Sequence, residues 1–221
     1  MAIRIRAPAD PASRRASDHP WEIDQAVLAE GVDWPMIFGR SGPVEMEIGC
    51  GKGLFLSRAS AGHPEVNWLG VERSSEHLRR AIDRAVKARV ENVRFVKAGA
   101  EDLLRSWLPD ASLRAVHILY PDPWPKKRHH KRRLLGLQQG PATVRHLARV
   151  VEPGGHLAIA TDHTGYAEVI MQVMRGAEGF EREETFYSQS LFADGELPLT
   201  EFERKYRIEG RLRHRFSWRR R

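Results

Sequence analysis

Thiol chemistry has almost no place in this chain: of 221 residues only Cys50 is a cysteine. That excludes an internal disulfide and any metal site built from several thiolates, and it fits a reducing compartment. Apolar runs of the roughly 18 residues that a membrane helix needs are also missing. The N-terminus carries Asp10 and Asp18 where a signal segment would have an apolar core. A soluble, cytoplasmic protein with no membrane partner is expected. Internal repeats and long low-complexity tracts are absent from the sequence. With 41% hydrophobic residues the chain has enough for one substantial core and too little for two catalytic domains. A single domain over residues 21–221 is predicted, preceded by a mobile basic arm over 1–20, where Arg, Pro, Ala and Asp follow no hydrophobic period.

Charge is present in excess and unevenly. The net charge is +7, yet residues 126–133 and 204–221 alone hold 6 and 9 of the 36 Lys and Arg against one acid, Glu209. Removing them leaves 21 basic and 28 acidic residues, a body of net −7. An acidic body with local basic segments points to a polyanion partner, although a solvated charge run would look the same on charge alone.

From Pro43 onward, short runs of Val, Ile and Leu alternate with segments of helical period, the pattern of βαβ units on a parallel sheet. Strands are predicted at Val44–Ile48, Asn67–Val71, Val93–Val96, Ala115–Tyr120 and His156–Ala160. Leu78, Ala81, Ile82, Ala85 and Val86 recur at helical spacing, so Ser75–Ala88 should be an amphipathic helix, capped by Ser74 or Ser75. Pro153-Gly154-Gly155 reads as a turn before the fifth strand.

Glu47-Ile48-Gly49-Cys50-Gly51-Lys52-Gly53 follows the first of these strands and opens a helix. Glycines at such a turn let the backbone approach a ligand closely. Leu54 stands where a dinucleotide fingerprint would have its last glycine, so a nucleoside site without phosphates, such as that for S-adenosylmethionine, fits better than a pyrophosphate cradle. Glu72 ends the second strand, 19 residues after Gly53, where a carboxylate meets ribose hydroxyls; a solvent-facing strand-end acid is the bland alternative. Glu47 is an acid at the end of an apolar strand, where burial without a partner would be costly. It could meet the cofactor's amino group, directly or through water.

After the fourth strand comes Tyr120-Pro121-Asp122-Pro123-Trp124-Pro125-Lys126-Lys127-Arg128-His129-His130-Lys131-Arg132-Arg133-Leu134. The prolines stiffen the turn around Asp122 and Trp124, and the chain then becomes cationic. A rigid acid at a strand's carboxyl end, an aromatic and a basic run that includes Arg128, Lys131 and Arg132 together suit a nucleobase flanked by phosphates. Trp124 taken alone reads as core packing. His129 and His130 lack matching ligands nearby in sequence, so no metal is expected.

At these residues the sequence resembles the bacterial tRNA (guanine-N7-)-methyltransferase family known as TrmB, from Glu47 to the C-terminal region. The Pro-Asp-Pro-Trp-Pro-Lys-Lys-Arg-His-His-Lys-Arg-Arg-Leu stretch is the most specific element. The resemblance implies a class I S-adenosylmethionine-dependent methyltransferase fold: Rossmann-like α/β, a mostly parallel seven-stranded sheet with helices on both faces. It implies methylation of guanine N7 at position 46 in the tRNA variable loop. It implies cofactor contacts from Glu47, the glycine loop, Glu72 and Asp122, with Asp122 also catalytic. Substrate contacts are implied for Lys126, Asp162, and Thr200 and Glu203 of Thr200-Glu201-Phe202-Glu203; Thr200 and Glu203 are also spaced as a helix-capping box. The family usually has Asp or Asn after the third strand to meet the adenine amino group, where this chain has Gly99. Backbone at Gly99 and Ala100, or the side chain of Glu101 or Asp102, would then serve. A monomer or homodimer is expected. A methyltransferase for another RNA or a small molecule, and a non-catalytic RNA-binding protein on the same fold, are the competing functions.

Overall fold

The computed structural model describes residues 19–192 and 199–221. Its framework is one eight-stranded sheet: β1 (Glu22–Ile23), β2 (Val44–Ile48), β3 (Asn67–Glu72), β4 (Val93–Lys97), β5 (Leu113–Leu119), β6 (Val151–Thr161), β7 (Phe180–Glu183) and β8 (His214–Arg220). They lie in the order β1-β4-β3-β2-β5-β6-β8-β7. The first six strands in that order run parallel to one another, and β8 runs antiparallel to both β6 and β7. The seven strands implied by resemblance are thus eight among the described residues. The addition is β1, two residues that pair Glu22 with Phe95 and Ile23 with Val96.

Of the arm expected over 1–20, residues 1–18 lie outside the described residues. The stretch from His19 is tied down: the His19 carbonyl accepts from Glu22 N at 2.9 Å, and the Trp21 indole donates to the Val90 carbonyl at 2.9 Å.

β2 reads Val-Glu-Met-Glu-Ile and is buried along its whole length. Successive side chains point to opposite faces. Met46 and Ile48 join a core with Val71, Val116, Ile118, Leu147 and Ile170. On the other face Phe55, Trp68, Leu78, Ile82 and Phe95 form a second core. The helices supply both layers: α1 (Gln25–Glu30), α2 (Trp34–Phe38), α3 (Leu54–Gly62), α4 (Ser75–Ala88), α5 (Ala100–Asp102), α6 (Gly140–Val150), α7 (Thr164–Arg175), α8 (Tyr187–Ser190) and α9 (Glu201–Ile208). α4 has the predicted bounds. Its cap is Ser74, whose hydroxyl accepts from His77 N at 3.3 Å.

The turn expected at Pro153-Gly154-Gly155 is instead part of β6. The strand starts at Val151, pairs with Leu113, and bulges before pairing resumes between His156 and Ala115. Gly154 at φ +83° absorbs the extra residues. Among the described residues no helix is long and apolar enough to cross a membrane.

Candidate active site

The chain leaves β2 toward β3 and β4 on one side, then returns to place β5 and β6 on the other. Loops after β2 and β5 therefore diverge and open a crevice at their carboxyl ends, the general position of ligands in such sheets. The glycine loop fills one wall. Gly49, Gly51 and Gly53 sit at φ +75°, +53° and +71°, so all three use the left-handed region that favours glycine. Gly49 N and Cys50 N donate to the Val71 carbonyl at 2.8 and 3.1 Å, which ties the loop to β3. At Gly53 a side chain would also meet α4, since a Cβ there would lie 2.8 Å from Ala81 Cβ.

Glu72 organises this loop. One carboxylate oxygen accepts from Gly51 N at 3.0 Å, and the other from Arg73 N and Ser74 N, both at 2.8 Å. An ionised carboxylate offers about four lone-pair sites, so the oxygen bonded to Gly51 keeps room for a ribose hydroxyl. Glu47 is the reverse case. It is 2% exposed and its Oε2 has no hydrogen-bond partner among the described residues. Burial, reinforced by the charge of Glu72, pushes its pKa well above the usual carboxylate range. Burial first, then Glu47 and Glu72, also raise the Cys50 thiol.

Two cavities meet here. The smaller, about 240 Å³, is lined by Glu47, Phe55, Leu119, Thr200 and Lys205. The larger, about 890 Å³, takes in Glu72, Ala98, Ala100, Glu101, Asp122, Trp124, Lys131 and Arg132. Gly49, Gly51, His77 and Phe202 border both.

The Asp122 turn is held under strain. Tyr120 and Trp124, on either side of it, have φ of +55° and +41°, at a cost of about 1–3 kcal/mol each. Arg133 secures the turn from behind: it is 4% exposed, donates to the Pro123 carbonyl at 2.6 Å and to that of Trp124 at 3.5 Å, and lies over the Tyr166 ring. Asp122 itself is exposed, and no hydrogen bond or ion pair engages it among the described residues. The Arg132 guanidinium stands 4.7 Å from the Trp124 ring centroid, and His129 meets that ring edge-on. The basic run is thus divided. Arg133 is structural, Lys131 and Arg132 line the cleft, and Lys126 and Arg128 are exposed beyond it, at the start of a 3-10 helix over Lys127–Arg132.

Gly99 has an ordinary φ of −80° and precedes α5. Of the two acids nearby, Glu101 lines the larger cavity, whereas Asp102 pairs with Arg105 at 2.6 Å. Asp162 pairs with Arg211 at 3.0 Å. Thr200 lines the smaller cavity while its hydroxyl caps α9, accepting from Glu203 N at 3.0 Å. Glu203 is fully buried; it accepts from Leu199 N at 3.0 Å and binds Arg207, Arg213 and Arg215. The capping geometry is therefore present, and the Glu203 carboxylate is engaged by arginines and not turned to the cleft.

Phe202, within the Thr200-Glu201-Phe202-Glu203 stretch matched to the family's substrate-binding positions, borders both cavities and is 52% exposed. Sequence reasoning passed over His77 and Gln139, both on the cleft wall. It also passed over Glu45. Glu45 is fully buried behind Glu47 and held by Arg114 at 2.6 Å, Tyr187 at 2.7 Å and His117 at 2.8 Å. The other ring nitrogen of His117 meets Ser188 Oγ at 2.8 Å. Burial would raise the Glu45 pKa, but the His117 hydrogen bond and charge, then Arg114 and Tyr187, outweigh it and hold the group at about 2.

A family model described as "Putative methyltransferase" matches residues 41–215. A tRNA (guanine-N(7)-)-methyltransferase of Alkalilimnicola ehrlichii is 36% identical over 204 residues, covering 92% of this chain and 79% of that protein. The chain belongs to the tRNA (guanine-N7-)-methyltransferase family. Another member, from Nocardia farcinica, is 36% identical over 94% of this chain and 79% of its own length. Among solved structures, the antibiotic-resistance methyltransferase Kmr aligns with TM-score 0.50 at 19% identity, covering 89% of this chain and 91% of its own. The cyclase SpnF aligns with TM-score 0.55 at 17% identity, over 88% and 78%. At those identities the likeness is one of fold, and the class I methyltransferase architecture is the one expected from sequence.

Proposed function

We propose that this family member transfers the methyl group of S-adenosylmethionine to N7 of guanine in tRNA. The observation that carries the reading is a cleft at the sheet's switch point, in a chain of this family, that joins the Glu47 and Glu72 wall to Asp122, unpaired among the described residues, and to Lys131 and Arg132. S-adenosylmethionine, when bound, supplies a methyl group on a cationic sulfur. Glu72 would hold the ribose and Glu47 the amino group, with Gly49, Gly51 and Gly53 allowing close approach. Ala100 and Glu101 would meet the adenine.

Guanine N7 presents a lone pair on the major-groove edge, so no proton has to leave before it attacks. Asp122 therefore needs no role as a base. An exposed carboxylate on a rigid turn orients the guanine and stabilises the positive charge that moves onto it, and such fixed charges act most strongly where water is excluded. Alignment of the reacting atoms accounts for much of the rate, on the order of 7–11 kcal/mol for well-oriented pairs. Lys131 and Arg132 face the strand carrying the target, while Lys126 and Arg128 extend the cationic track. A tRNA substrate assigns the work to the cytoplasm.

The test is incubation with labelled S-adenosylmethionine and unmodified tRNA, followed by nucleoside analysis. Label is expected only in 7-methylguanosine, and Asp122→Ala should lose single-turnover transfer by orders of magnitude, more than Asp122→Asn, with cofactor and tRNA affinities measured separately to exclude a binding defect. Another methylated nucleoside would refute the acceptor assignment, and near-normal transfer by folded Asp122→Ala would remove Asp122 from the reaction.

A further inference from the structure

Glu203 gathers more cation than one carboxylate balances. Arg207, Arg213 and Arg215 all reach its Oε1, Arg207 at 3.1 Å and Arg213 at 3.5 Å. Among the described residues, three guanidinium charges against one carboxylate leave +2 in a compact cluster. The three groups carry about fifteen N–H donors, five each. Only the few that point at Oε1 have an acceptor among the described residues. Among the described residues Arg215 Nε is buried without a partner, and so is the Tyr120 hydroxyl, which lies against Arg215 without the geometry of a hydrogen bond. Glu203 is fully buried, but the arginines are 25–35% exposed, so an anion can reach them from solvent.

The cluster lies at the substrate edge of the sheet. Arg215 pairs in register with Ala160 at the carboxyl end of β6, beside the β5 end from which Asp122 emerges. Tyr120, whose hydroxyl points to Arg215, lines the larger cavity.

We infer that Arg207, Arg213 and Arg215, preorganised by Glu203, form a phosphodiester-binding site for the RNA strand that carries the target guanosine, separate from the Lys126–Arg132 run. The inference rests on the proposed tRNA substrate. Guanidinium forks match phosphate oxygens bidentately, and a phosphodiester, with one negative charge and two free acceptor oxygens, supplies the acceptors that the cluster lacks and offsets half of its charge. Glu203 acts here as the brace that aims the arginines.

The test is tRNA binding across a salt series for wild type, Arg213→Gln, Arg213→Lys and the control Arg175→Gln, which removes an exposed charge at the far end of α7. Arg213→Gln should weaken tRNA binding about tenfold or more and reduce the log–log salt slope by about 0.7–0.9. Arg213→Lys should keep the slope and lose part of the affinity; the control should match wild type. Cofactor affinity and melting temperature should hold in all four. An unchanged slope in Arg213→Gln overturns the inference, whether or not its stability falls, and so does a control that loses as much as Arg213→Gln. Protection of wild type by millimolar inorganic phosphate together with an unchanged tRNA slope would mean a free-anion site, and also overturns it. Formation of 7-methylguanosine by wild type is scored separately, so failure of this site and failure of the tRNA reading remain distinct.

Discussion

Replacing Glu47 by Gln tests the cofactor wall through proton counting. Glu47 is 2% exposed, its Oε2 is unpartnered, and burial plus the Glu72 charge favour its neutral form. An ammonium placed about 4 Å away attracts an ionised carboxylate by about 4 kcal/mol at an effective dielectric of 20, equivalent to about three pKa units. Cofactor binding should thus ionise Glu47 and release close to one proton at any pH between the lowered pKa of the bound state and the raised pKa of the free protein. Affinity should rise about tenfold per pH unit in that range and level off above it. In the free protein the sign is opposite for stability. A carboxyl whose folded pKa exceeds its unfolded value of about 4.3 stabilises the fold at low pH, and that contribution is lost as pH rises through the folded pKa. Glu47→Gln should therefore fold at least as well at neutral pH while binding cofactor roughly 10- to 100-fold more weakly. Titration calorimetry in buffers of different ionisation enthalpy gives the proton count directly. Zero release from wild type at every pH at which the protein is folded, or equal release from Glu47→Gln, would refute the placement of the amino group.

The divided basic run gives opposite signatures. Lys131→Ala with Arg132→Ala should raise the KM for tRNA and lower the salt slope by up to about 1.8 for two phosphate contacts, with melting temperature unchanged. Arg133→Gln should lower melting temperature and turnover through the Asp122 turn, with the salt slope intact; a fall in slope would place Arg133 on the RNA. Glu45, held at about 2 against an ordinary 4.5, contributes on the order of 3 kcal/mol above its unfolded pKa, lost as pH falls from about 4.5 toward 2. Acid unfolding followed by circular dichroism should show Glu45→Gln less stable at neutral pH and less sensitive to acid; parallel profiles would refute this. Gly53→Ala should cost about 2 kcal/mol or more through positive φ and the clash with Ala81, read from denaturant midpoints, and an unchanged midpoint would show that α3 yields freely.

Much of the fold was legible because β2 to β6 and α4 follow clean periodicities, and Ser74 announces its helix. Glu45 was hidden by the same rule: Val-Glu-Met-Glu-Ile reads as a half-exposed strand, and only the tertiary partners Arg114, His117 and Tyr187 make burial of that acid affordable. β8 was hidden by its arginines. His-Arg-Phe-Ser-Trp-Arg-Arg counts as a basic tail, yet Arg220 donates to the Ala148 and Gly179 carbonyls and Arg219 to that of Gly154. Charge counting cannot separate cations that tie down backbone from cations that face a polyanion. The glycine loop, Glu72 and Asp122 were legible together because local spacing places them on one crevice; His77 reaches it through a helix whose orientation only packing decides.

The strand order carries a consequence for how the molecule is made. β7 precedes β8 in sequence but lies outside it in the sheet, and among the described residues its only strand neighbour is β8. On a ribosome, Phe180–Glu183 would emerge with nothing to pair with, while the completed β6 offers a long open edge. That edge invites mispairing with another chain until β8 arrives to fill it. The acid-and-arginine brace around Glu203 closes in the same late step, because Arg215 belongs to β8. A nascent chain could thus assemble the cofactor wall from β2 to β5 well before it acquires the Glu203 arginine cluster.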